Sequence, residues 1–310
     1  MKGLELSRRY WAEVVSPALT ERFGDRFTLR AAAGLVGDGS ECYGFDDETS
    51  QDHDFGPRVQ IWLNDSDYAE FGAELQSAYI ELPRNFLGYN GVNLSQFGDG
   101  REGVFPVSRF YARYIGRTEL PQTLNEWRVI PEVNLSIVTN GEVFTDPAGE
   151  FTAFRSGLLE FYPEDLRLKK IAAHCMKAAQ AGQYNYPRSV KRGEYTAAFL
   201  AAGEFAQVAA SLVFLLNRRY TPFYKWIPRA LRELPALGKF TADELGAIAE
   251  SGSDYFSGAE HIERLSAAII EYMQSGGLTE SKSDFLLDHA PYVQAKIKDE
   301  QLKRLPLWNE

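Results

Sequence analysis

Hydrophobic and polar positions change rhythm midway along the chain. Leu4, Trp11, Val14, Val15, Leu19 and Phe23 fall near one face at helical spacing, which predicts an amphipathic helix over residues 5–24. FTLRAAAGLVG, Phe27 to Gly37, reads as a short apolar strand ending in glycines. RVQIWL, Arg58 to Leu63, alternates and is β-like, whereas Tyr68 to Tyr79 is helical in pattern. VFPVSRFY, Val104 to Tyr111, is another strand candidate, with Pro106 suited only to an edge or a bulge. Thr123 to Val138 reads either way around Pro131. The first half therefore mixes helix and strand.

The second half carries almost no strand pattern. Pro163 opens a helix that runs through Ala181, where Gly182 closes it. A long helix follows from Gly193 to about Arg219. Thr241…Glu244 and Ser257…Glu260 have the spacing of capping boxes. Ile262, Leu265, Ile269 and Tyr272 then repeat at helical spacing, and Asp288 to Leu305 predicts a last helix. This half reads as an antiparallel helical bundle. The change of rhythm lies between Phe151 and Pro163, which predicts two domains, 1–155 and 156–310. The fold class expected is α+β, a small mixed sheet with flanking helices followed by an all-α bundle.

Charge sharpens that division. The 310 residues carry a net −10, and residues 1–155 hold 24 Asp and Glu against 14 Lys and Arg, which is all of it. An acidic first half argues against duplex DNA as a partner, since nothing there would neutralise phosphates. A nucleotide stays open, because a divalent cation can bridge its phosphates. The start, MKGLELSRRYWAEVV, lacks the apolar core of a signal peptide. The longest apolar run, Val208 to Leu216, is too short to span a bilayer. Cys42 and Cys175 form no metal-binding spacing and read as free thiols. These features predict a cytoplasmic protein with no membrane partner.

The acidity concentrates in DGSECYGFDDETSQDHDF, Asp38 to Phe55, which holds seven carboxylates and no Lys or Arg. Its centre is Asp52-His53-Asp54. In an extended segment, side chains two apart share a face, so Asp52 and Asp54 would reach one cation. Without a metal they would repel each other. Gly39-Ser40 lies upstream, directly after the apolar strand. Glycine there lets backbone approach a phosphate, and the serine hydroxyl can donate to it. An isolated Asp-x-Asp is more often a solvated turn, and Asp46, Asp47 and Glu48 read as the solvated crest of this loop. An EF-hand and a Walker A loop are both excluded by spacing.

Strand, Gly-Ser, eleven residues, Asp-x-Asp and an alternating strand together resemble the polymerase-β-type nucleotidyltransferase signature. GEVFTDPAGEFTAFRSGLLEFYPEDLRLKKIA, AGQYNYPRSVKRGE and LLNRRYTPFYKW further resemble a bacterial branch of that superfamily, filed as a domain of unknown function. Kanamycin and lincosamide nucleotidyltransferases belong to the same superfamily. The resemblance covers roughly residues 30–235. It implies that Asp52 and Asp54 hold Mg2+ (or Mn2+) and that Gly39 and Ser40 position the phosphates of ATP or another NTP. A nucleoside monophosphate would pass to an unknown small-molecule or macromolecular acceptor, with release of pyrophosphate. Superfamily members usually supply a third carboxylate from a later strand, and VFPVSRFY has none. Asp99, Glu132, Glu142, Asp146 and Glu194 are the acids available nearby or further on. The departure leaves open a non-catalytic nucleotide-binding or regulatory module, and a toxin–antitoxin-type nucleotidyltransferase acting on RNA or protein is a further alternative.

A second constellation lies in the helical half. QYNYPRSVKRGE, Gln183 to Glu194, packs amide, phenol and guanidinium groups into one connection. Lys170 precedes it, and Lys225 follows the next helix. Lys170, Arg188, Arg192 and Lys225 are candidate phosphate contacts. Tyr184 is a candidate platform for a base, with Asn185 beside it. The competing reading is a set of helix-end cations that favour the helix dipole and need no ligand.

Overall fold

A computed structural model describes residues 1–51, 55–91 and 100–310. The apolar segments of the first half become β1 (Ala32–Leu35), β2 (Gln60–Leu63), β3 (Gly103–Pro106) and β4 (Glu142–Thr145). They form one mixed sheet in the order β3-β2-β1-β4. β1 pairs antiparallel with β2 and with β4, and β2 pairs parallel with β3. The two central strands are buried at every position, which is why AAGL shows no polar alternation.

Period-2 geometry sends the side chains of β2 to opposite faces. Ile61 and Leu63 join Ala33, Val59 and Val104 in a core roofed by Tyr10, Val15, Leu19, Phe71 and Leu75. Trp62 points the other way and is fully buried, stacked on Phe151 at 3.8 Å between ring centroids. Gly34 makes room for it: a Cβ there would meet the Trp62 ring at 3.1 Å and the Glu142 carbonyl closer still.

The predicted N-terminal helix is present as Gly3–Tyr10, a wider π turn at Trp11–Val15, and Ser16–Phe23. Phe27 and Thr28, expected in a strand, close a short helix instead. Pro106 does stand on an edge strand, but it ends that strand. Its extended backbone opens the Val107–Ile115 helix, so VSRFY is helical and not β. Pro131 likewise opens Glu132–Thr139 and resolves the ambiguous stretch as helix.

The described residues cluster into two units, Met1–Glu160 and Phe161–Glu310. Residue 155 lies inside the Glu150–Leu159 helix. The first unit is α+β and the second is all-α among the described residues. In the second unit the Glu164–Ala178 helix is central, buried from Leu166 to Met176. It packs against Tyr195–Leu216 and Ala290–Ala295, while Gly238–Glu250 packs on Tyr255–Ser275. Gly182 does not end the first helix. The chain continues through a π-type segment, Ala179–Asn185, and a Cβ at Gly182 would overlap the buried Phe205 ring. The glycine serves packing there. Thr241 is a fully buried interior residue of its helix, and Asp254, not Ser257, caps the next one. Among the described residues the capping box is Thr123…Glu126. Asp288 to Leu305 is broken into three short helical pieces. Tyr195–Leu216 is long and apolar enough to cross a membrane by length and composition. A core helix passes the same measure, and this one is buried along most of its second half.

Candidate functional site

One end of the sheet gathers the groups that the sequence singles out in the first unit. β1 leaves the sheet there, and β2, β3 and β4 enter it. Gly39 and Ser40 follow β1 within five residues, and Ser40–Tyr43 forms a 3-10 turn. Side chains fix this turn to its neighbours. The Val36 amide donates to Gln60 Oε1 at 2.9 Å. Asn140 clamps Gly37 from both sides: its Oδ1 accepts from the Gly37 amide at 3.0 Å, and its Nδ2 donates to the Gly37 carbonyl at 2.7 Å. Tyr114 donates its hydroxyl to Asp38 at 3.0 Å, and burial pushes that phenol above its ordinary range. Burial also pushes the Cys42 thiol up to about 12, so it is no nucleophile.

Asp52, His53 and Asp54 lie outside the described residues, as does Asp99. Among the described residues, no group of three His, Cys, Asp or Glu could hold a metal ion. What surrounds the turn is a buried ion pair. Arg58 is 2% exposed and Glu41 is 6% exposed. Arg58 Nη2 donates to Glu41 Oε1. Burial first, and then the nearby Arg101, push the Arg58 guanidinium down to about 10, so it stays charged at neutral pH. Its Nη1 has no hydrogen-bond partner among the described residues. The Glu41 carboxylate lies directly over Gly39, where any Cβ would overlap it. The space that glycine opens is filled by the chain's own acid.

Asp46 departs from the solvated crest the sequence suggests. It is 2% exposed and accepts from the Gly3 amide at 2.8 Å, while Lys2 donates to the Gly44 and Asp46 carbonyls. Asp47 and Glu48 are exposed. Two of the acids considered for a third carboxylate are held by other partners. Glu142 pairs with Arg8, and Asp146 accepts from the Gly149 and Thr152 amides at 2.9 and 2.7 Å. Glu132 opens its helix, and Glu194 is an exposed residue of the second unit. The acid the sequence reading passes over is Glu102. It sits one residue before β3, whose Gly103 is in register with Gln60 of β2. Tyr79 donates its hydroxyl to Glu102 at 3.1 Å, and Arg84 Nη1 reaches the same oxygen at 2.6 Å. Its signal was an acid immediately preceding a glycine-led strand.

In the second unit the candidate residues divide into groups. Tyr184 is exposed and carries the Arg188 guanidinium over its ring at 4.6 Å. Asn185 lines a groove of about 340 Å³ with Lys177, Gln180, Ser189 and Glu204. Arg192 is an exposed helix C-cap. Lys225 is exposed over Trp226, 4.6 Å from its ring. Lys170 is buried, beside the Tyr162 ring, and its Nζ lies 3.6 Å from Glu310. That partner is neither Glu164 nor Asp165, the nearby acids. Its neighbour Lys169 is fully buried and donates to Gln294 Oε1 at 2.5 Å and to the Leu305 and Pro306 carbonyls at 3.1 and 2.8 Å. Three acceptors for three ammonium protons explain how that charge is tolerated in a core.

A family model described as a domain of unknown function (DUF4037) matches residues 127–227. The matched span includes Lys170, Tyr184, Asn185, Arg188, Arg192 and Lys225, and leaves out Gly39, Ser40, Asp52 and Asp54. No curated protein matches the chain. Among solved structures, a nucleotidyltransferase-like protein from Exiguobacterium sibiricum 255-15 is similar at 11% identity and a TM-score of 0.36. The match covers 87% of this chain and 80% of that one.

Proposed function

We propose that the protein is a metal-dependent nucleotidyltransferase that transfers a nucleoside monophosphate from an NTP, ATP first among them, and releases pyrophosphate. One observation carries this reading. β1 delivers Gly39-Ser40 to the same end of the sheet at which antiparallel β2 begins, in register Gly34 with Gln60. The Asp52-x-Asp54 pair precedes β2 by a few residues in the sequence. Paired carboxylates are hard oxygen donors, the chemistry magnesium selects. Bound Mg2+ would neutralise triphosphate charge and stabilise the attacking and leaving oxygens.

The chain's own residues have the remaining roles. Asp52 and Asp54 hold the metal, and Glu102, kept in place by Tyr79 and Arg84, is our nominee for the third carboxylate. Ser40 donates to a phosphate oxygen. Arg58, paired with Glu41, keeps an open Nη1 beside the turn. In the second unit Lys170, Arg188, Arg192 and Lys225 are the candidates for an anion, and Tyr184 and Asn185 those for a base. Kanamycin and lincosamide nucleotidyltransferases are the relatives this reading implies, so small hydroxylated molecules are the first acceptors to test.

A second reading is favoured by the Glu41 carboxylate lying over Gly39. It competes with a phosphate for that place and suits a module that binds nucleotide without turnover. Incubation of the chain with Mg2+ and ATP labelled at the α-phosphate, with candidate acceptors, separates the two. Transfer of label with pyrophosphate release, abolished in Asp52→Asn/Asp54→Asn, is expected. Label on tRNA or on a polypeptide would reassign the acceptor to a macromolecule. Equal ATP binding by both proteins with no pyrophosphate from either would overturn the transfer reading.

A further inference from the structure

The central helix of the second unit carries a basic face. Lys170, His174 and Lys177 stand at spacings of four and three, which puts them on one side of the Glu164–Ala178 helix. All three converge on one carboxylate. Lys170 Nζ and His174 Nδ1 lie 3.6 and 3.4 Å from Glu310 Oε2, with His174 Nδ1 hydrogen-bonded to the Lys170 carbonyl at 2.8 Å, and Lys177 Nζ donates to Oε1. The side chains of Lys170 and His174 are each 10% exposed. Among the described residues the two ammonium groups share this single carboxylate. One side-chain carboxylate therefore meets two ammonium groups, at a place buried around Lys170 and only partly buried around Lys177.

The segment that brings Glu310 there is itself tied down. Lys169 grips the Leu305 and Pro306 carbonyls, and Gln294 Nε2 donates to the Leu305 carbonyl at 3.1 Å. Lys177 also lines the groove of about 340 Å³ that holds Asn185 and Ser189. One edge of the cationic cluster thus opens onto a cavity with room for more than an ion.

We propose that Lys170, His174 and Lys177 form a phosphoryl-anion site, and that the Glu310 carboxylate occupies it as an intramolecular competitor that an incoming phosphoryl dianion must displace. A dianion sets one more charge against the two lysines than the side-chain carboxylate does, and the groove beside Lys177 has room for the organic part of such a ligand. The proposal rests on reading Lys170 as a phosphate contact, but it does not need nucleotidyl transfer.

Inorganic pyrophosphate, without metal, is the probe, and calorimetric titration of the full chain is the measurement. Glu310→Gln removes the competitor and keeps the shape. It should bind pyrophosphate at least about ten-fold more tightly than wild type, the equivalent of 1.4 kcal/mol. Adding Lys177→Gln to that variant, a change at the more exposed cation, should remove the gain. No tightening in Glu310→Gln, or a gain that survives Lys177→Gln, would overturn the proposal. Circular dichroism on each variant separates lost binding from lost fold. In Asp52→Asn/Asp54→Asn the tightening by Glu310→Gln should persist. The anion site and the transfer reading therefore fail separately.

Discussion

Glu41→Gln tests the buried pair beneath the Gly-Ser turn, and it should move stability and ligand binding in opposite directions. The substitution keeps size and one acceptor oxygen but removes the charge hydrogen-bonded to Arg58, which is 2% exposed. Removing one member of a buried pair leaves an uncompensated charge and costs roughly 3–5 kcal/mol. In a unit of 160 residues, each kcal/mol lowers the midpoint by about 2–4 °C, so a fall of about 6–20 °C is expected. Replacing both members, Glu41→Leu with Arg58→Met, removes the desolvated charges together and should restore most of the loss. Glu41 also covers Gly39, so the single variant removes the negative charge from that place and should bind ATP more tightly while folding less stably. Scanning calorimetry and urea titration give the stability, and equilibrium dialysis with labelled ATP gives the binding. The reasoning fails if the single variant loses less than about 1 kcal/mol, or if the double variant loses as much as the single one. Weaker ATP binding in a folded Glu41→Gln would remove the case for Glu41 as a competitor.

Other outcomes follow from the same physics. Burial works against the charge on Glu310, but His174, Lys170 and Lys177 outweigh it and hold the carboxyl down at about 2, against an ordinary 4.5. A carboxyl with a depressed native value stabilises the fold above its unfolded value, and that contribution, on the order of 3 kcal/mol, fades as pH falls from about 4.5 to 2. The gap in urea midpoint between wild type and Glu310→Gln should therefore shrink between pH 7 and pH 3, and an unchanged gap would contradict the ion cluster. Gly182→Ala should destabilise by about 1–3 kcal/mol, because the new methyl overlaps the buried Phe205 ring; thermal melts read this directly. If Glu102 is the third carboxylate, Glu102→Gln should lower kcat by at least about ten-fold with little change in KM for ATP. Full turnover in that variant would return Glu102 to a purely structural partner of Arg84.

Local pattern was enough to read most elements and too little to read the contacts between them. RVQIWL announced β2 because alternation and β-branched residues are local signals, and Pro163 announced its helix for the same reason. Val107 to Tyr111 misled because β-branched and aromatic residues also suit a helix that buries Phe110 and Tyr111. Thr241 and Ser257 had the right spacing for caps, but tertiary burial claimed one and Asp254 had already capped the helix of the other. Gly39-Ser40 was legible at the end of β1. The Glu41–Arg58 pair was not, since it depends on two strands meeting. Still less legible was Glu310 on Lys170, a contact between residues 140 apart in sequence.

The tie between Asp46 and Gly3 bears on how the first unit opens. The Gly3 amide is spent on the Asp46 carboxylate, and Lys2 holds the carbonyls on either side of Phe45. The Phe45 amide in turn donates to the Ser40 carbonyl at 2.9 Å. The Gly-Ser turn and the first turn of the N-terminal helix are thus one cooperative opening unit. Their amides should exchange with solvent deuterium at a common free energy, and a swing of the turn toward a ligand would register at Gly3.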